Sequence, residues 1–171
     1  MKRSSILKMT GVLAAFGLAS ALFAAAPPTV ADSAGNLTQK ASGLLAEIHQ
    51  NAQAVQRSAD TLEGYNREAL LLDWHADADK LDRMRGRINT IDQTVRQLRT
   101  MEMDLPHAQR SEINQIAPAA AELTDNAQLA INYLKTNQDR TMFAPYTSYA
   151  NEMYSEAARI VHSTATAEGR S

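Results

Sequence analysis

Within seven residues, Asp73-Trp74-His75-Ala76-Asp77-Ala78-Asp79, four side chains have the chemistry to ligate a divalent cation. On a helix, Asp73 with Asp77 and His75 with Asp79 fall one turn apart, close enough for each pair to share an ion. A closed site needs further ligands, and no matching spacing supplies them. Lys80, Asp82, Arg83, Arg85 and Arg87 follow directly, so the same charges also read as ion pairs and as acidic residues beside a helix start.

Two other groups carry possible chemistry. His49 and His162 lie in the first and last helical segments, which neighbour each other in an up-down bundle, and four-helix cytochromes hold haem between such helices. Both histidines flank apolar positions instead of occupying them. Tyr133, Tyr146, Tyr149 and Met153 cluster in the second half of the chain. They would line a small-molecule pocket between the third and fourth helices, or pack as ordinary core with hydroxyls reaching water. The reading adopted is that no cofactor is required.

Composition removes whole classes of activity. The 171 residues include no Cys, 5% aromatic and 21% charged residues, with a formal net charge of −2. Disulfides, thiolate metal sites and cysteine nucleophiles are excluded. The near-neutral balance and sparse aromatics leave no basic, base-stacking surface for nucleic acid. No Ser-His-Asp arrangement, phosphate-cradling glycine loop or metallo-hydrolase helix motif occurs, so an enzyme is not expected.

The elements that must position these residues begin after an address label. Lys2, Arg3 and Lys8 precede an uncharged run from Gly11 to Ala26, then Pro27-Pro28 and the small residues Thr29-Val30-Ala31. This pattern predicts a signal peptide, 1–31, cut after Ala31. Retention of the segment as an anchor is the alternative. Cleavage removes three basic residues, leaving residues 32–171 at −5. The implied location is periplasmic or secreted, with no transmembrane span in the mature chain.

Beyond the leader, apolar residues return with one period. Leu37, Ala41, Leu44, Ile48, Ala52, Val55, Ala59 and Leu62 step by about 3.6 residues. The series from Leu70 through Trp74, Leu81, Met84, Ile88, Ile91, Val95, Leu98 and Met101 to Leu105 steps by about 3.5, as in a coiled-coil seam. Ile113 to Leu134 and Tyr146 to Thr164 repeat the pattern. Gly64-Tyr65-Asn66, Leu105-Pro106, Asn137-Gln138-Asp139 and Ala144-Pro145 punctuate it. Pro118 lies inside the third stripe but off its apolar positions, where it curves the helix or opens a pocket.

Helices are therefore expected at about 36–63, 67–105, 107–136 and 145–164, with a disordered tail at 165–171. They compose one all-α domain, 32–164, an antiparallel up-down four-helix bundle with coiled-coil-like packing. Fusion of the first two helices through Gly64 is the alternative. At full length the second helix would overhang the bundle, exposing Val95, Leu98, Met101 and Leu105 to a partner or a second copy.

Tyr65, Trp74-His75, Ile116-Ala117-Pro118, Asn137-Gln138 and Pro145-Tyr146 resemble features of small exported helical proteins of bacteria that carry no assigned activity. The resemblance spans about residues 62–162 and brings no functional residues. A looser likeness to periplasmic helical chaperones lacks their repeated Leu-Thr-x-x-Gln signature, Leu37-Thr38-Gln39 being the nearest approach. The expected role is non-enzymatic: protein binding or self-association in the cell envelope, through the 67–105 seam. The alternative is a bundle that binds a small ligand, haem or a metal.

Overall fold

Four α-helices carry the chain: α1 (Val30–Arg67), α2 (Trp74–Met101), α3 (His107–Thr136) and α4 (Tyr146–Glu168), with a 3-10 turn at Glu102–Asp104. The computed structural model describes residues 30–67, 74–137 and 145–168, and side chains within 34–62, 75–137 and 145–165. Among the described residues there is no strand, and no helix is long and apolar enough to cross a membrane. The expected leader lies outside them except for the last two residues, Val30 and Ala31, which open α1.

Each helix packs against two neighbours, in the cycle α1, α2, α3, α4 and back to α1. This is the expected bundle, and the apolar stripes are its cause. Ile48, Val55 and Leu62 of α1, Leu81, Met84, Ile88, Ile91 and Leu98 of α2, Ile113, Ile116 and Leu123 of α3, and Met153 and Ile160 of α4 meet in one continuous core. Residue size is unevenly shared. From Leu81 to Met101, α2 contributes only large core side chains, whereas α1 contributes Ala41, Ala52 and Ala59, and α4 contributes Ala150 and Ala157. Small side chains let backbones approach closely, and α1 with α4 is the most extensive pairing.

Several expected boundaries are corrected. Gly64 does not stop α1, which runs on to Arg67, so Asn66 is no cap for α2. A helical glycine costs about 1 kcal/mol against alanine, and the core anchors Ala59 and Leu62 just before it outweigh that. The two helices are nevertheless not one rod, since Arg87 of α2 reaches back to Asn51 of α1. The long helix is α1, with 38 residues, and α2 has 28. At 1.5 Å per residue these span about 57 and 42 Å. At the other end of the chain, α4 continues through the expected tail to Glu168.

The shorter α2 overturns the overhanging seam. Val95, Leu98, Met101 and Leu105 are 6%, 0%, 8% and 4% exposed, inside the bundle. Leu105 takes the extended backbone that a following proline imposes, with φ −90° and ψ 153°. Pro106 then serves as the N-cap of α3. At the far end, the Asn137 N–H and side-chain amide both donate to the Tyr133 carbonyl, at 2.9 and 3.1 Å, closing the helix. Pro118 sits within α3 and is exposed, as its place off the stripe implies.

Candidate functional site

Glu156 follows Met153 by one turn on α4 and precedes Ala157, so the packing that buries those two also buries its carboxylate, with 7% of the side chain exposed. A buried charge needs a partner. Arg159, one turn on, donates to Glu156 Oε2 at 2.7 Å and lies 3.4 Å from Glu122 Oε2 of α3. One guanidinium therefore bridges two carboxylates across the α3–α4 seam. Burial holds the Glu156 carboxyl above its ordinary range, Glu122 adds to the rise, and Arg159 opposes it. The same contacts hold the Arg159 guanidinium charged.

Beside this triad the seam opens into a hollow of about 610 Å³ lined by Gln115, Pro118, Ser155, Arg159, His162 and Ser163, with Ala158 at its floor. The proline within α3 thus lines this hollow. Hydroxyls, an amide, an imidazole and a guanidinium give it both donors and acceptors. Of the triad, Arg159 lines this hollow; a perturbed acid beside a cleft occurs at functional sites and in structural ion-pair networks alike.

The residues singled out by sequence are distributed differently. His49 is half-buried and clamps α1 to α4. The Thr164 hydroxyl donates to the Ile160 carbonyl at 2.9 Å, so it accepts from His49 Nδ1 at 2.7 Å, and Gln53 donates to Nε2 at 2.8 Å. Both ring nitrogens are engaged. His162 is exposed and lines the hollow with residues of α3. The two candidate haem ligands thus lie in different surroundings, His49 with both ring nitrogens engaged between α1 and α4 and His162 at the α3–α4 hollow.

The three described members of the metal quartet do not share one face. Asp73 lies outside the described residues. His75 and Asp79 are exposed, while Asp77, half a turn from each, is turned inward and buried. Residues two apart on a helix face nearly opposite ways. Among the described residues no three His, Asp or Glu side chains are placed to hold a metal ion.

Tyr146 and Met153 belong to the closed core, and the Tyr146 ring stacks on Tyr133 with centroids 6.2 Å apart. Tyr149 packs partly buried against the same core. Burial, together with the charge of Asp77, pushes the Tyr146 phenol far above its usual range, and its hydroxyl has no hydrogen-bond partner among the described residues. Burial lowers the Lys80 ammonium, and Asp77 offsets part of that. Of the two readings of the tyrosine cluster, these positions follow that of core packing. An apolar hollow of about 390 Å³ lies instead between α2 and α3, floored by Leu81, Ile131 and Leu134 and rimmed by Asp79, Asp82, Arg85 and Lys135.

Two features escaped the sequence. The first is the Glu122–Arg159–Glu156 bridge. Its only signal was an acid at the flank of the α4 stripe, one residue before Ala157. The second is Gln109, buried on α3, which donates to the Thr38 carbonyl at 3.1 Å and to Ser42 Oγ at 3.0 Å on α1, the diagonal helix. The class defined by these observations is an all-α antiparallel four-helix bundle with a polar seam hollow. No family model, curated protein or solved structure matches the chain.

Proposed function

We propose that this chain is an exported, non-enzymatic binding protein of the cell envelope, periplasmic or secreted, that takes its partner in the hollow between α3 and α4. The supporting observation is the Glu156 carboxylate, buried at a net cost and held by Arg159 at the edge of that hollow. Its side-chain partners, Arg159 and Glu122, orient charge and leave no acid–base pair aimed at a reacting group. The hydroxyls of Ser155 and Ser163, the Gln115 amide and the His162 ring suit a polar segment of a partner protein. With the 95–105 seam internal, self-association through it loses its basis.

A second reading, binding of a small apolar molecule, is favoured by the floor of Leu81, Ile131 and Leu134 between α2 and α3. Native mass spectrometry of protein purified from its original host tests both. The expected result is a polypeptide beginning at Asp32 that carries a partner, with the partner lost in Ser155→Arg, which obstructs the α3–α4 hollow from an exposed position. A bare polypeptide, or a partner retained by Ser155→Arg, overturns the first reading. A small adduct lost in Ile131→Arg supports the second.

A further inference from the structure

Sulfur in this chain is confined to methionine, and the described methionines fall into two groups. Met84, Met101 and Met153 are 1%, 8% and 0% exposed, whereas Met103 is 86% exposed. Met103 occupies the middle of the 3-10 turn Glu102–Asp104, between α2 and α3. The turn is pinned on both sides. Met101 and Leu105 are buried in the core, and Glu102 accepts from the Asn114 amide at 3.1 Å and lies 3.7 Å from the Arg99 guanidinium. With Met101 and Leu105 fixed inward, the Met103 thioether is held outward on a short, anchored segment.

We propose that Met103 is an oxidation site, a thioether presented to solvent that takes up one oxygen atom from a peroxide-class oxidant while the core methionines are spared. The step balances without any group from the protein. A sulfur lone pair attacks one oxygen of hydrogen peroxide, the O–O bond breaks, and methionine sulfoxide and water result. Sulfur is oxidised by two electrons and the peroxide is reduced by two. No cysteine competes, because the chain has none. The product is polar, and at Met103 that polarity enters water. At Met101, two residues earlier, the same oxygen would enter the core, where a polar group without a partner is costly.

Trypsin releases Thr100 to Arg110 as one peptide, which carries both methionines and so compares them under identical conditions. The mature protein is treated with dilute hydrogen peroxide, quenched over time, digested and read by fragment-ion mass spectrometry. Met103 sulfoxide is expected to accumulate at least about ten-fold faster than Met101 sulfoxide, following exposure, with helical circular dichroism unchanged when one oxygen has been added there. Equal rates at the two positions overturn the proposal, as does loss of helical signal on oxidation at Met103. In Met103→Leu the peptide keeps its unoxidised mass over the interval in which the native one gains an oxygen. Oxygen gained at Met101 in that interval also overturns it.

Discussion

His49 and Thr164 meet at 2.7 Å although 115 residues separate them in the chain. Thr164 is buried on α4, and its single hydroxyl links two helices by donating along α4 and accepting from α1. A valine of the same shape would keep the packing and remove both bonds. Thr164→Val is expected to cost about 1–2 kcal/mol, the lost bonds plus an unpaired imidazole N–H. In urea denaturation with His49→Ala as partner, the cycle should show a coupling of about 1 kcal/mol; simple additivity would mean the contact stabilises nothing.

Acid should favour the α3–α4 seam. The folded-state value of Glu156 is raised above the ordinary 4.5, so its contribution is fully present below that value and lost as pH rises through the raised one. Melting temperatures of the native protein and Glu156→Gln should therefore diverge above pH 4.5, with the native protein losing ground. Parallel profiles would show that Glu156 ionises without cost.

Leu98 is wholly buried in α2. Leu98→Ala should lower unfolding free energy by about 2–5 kcal/mol through lost transfer energy and an unfilled cavity. Light scattering should give the same particle mass as for the native protein. A dissociated assembly with unchanged unfolding energy would return this residue to an intermolecular surface.

Pro118 is exposed within α3 and has no N–H for the carbonyl one turn back. Pro118→Ala restores that bond and a better helix former, so stability should rise by about 1–3 kcal/mol. No gain in guanidinium denaturation would mean that the surrounding packing already offsets the missing hydrogen bond.

Tyr146→Phe removes a buried hydroxyl that has no hydrogen-bond partner among the described residues. The expected change is between zero and a gain of about 1 kcal/mol, since the lost group left its desolvation uncompensated. A clear loss by chemical denaturation would reveal a bridging water.

The stripes were legible because one physical requirement, hiding an apolar face, sets their spacing. Ile48, Leu98, Ile116 and Ile160 all reach the core that their periodicity predicts. Helix ends were less legible, since Gly64 carries a local cost that distant packing overrides. The candidate site was least legible. Glu156 alone resembles any surface acid, and its meaning depends on the register that brings Glu122 and Arg159 together across two helices. The Asp73–Asp79 run was legible only as two one-turn pairs: His75 and Asp79 share an exposed face, Asp77 turns inward, and Asp73 lies outside the described residues.

The contact of α1 with α4 has a kinetic consequence. It joins the earliest helix to emerge from synthesis with the last, so loop-closure entropy over most of the chain must be overcome before it forms. Until α4 is available, the small-residue face of α1 has nothing to close upon. A nascent chain is thereby kept from completing its fold before its last helix has been made.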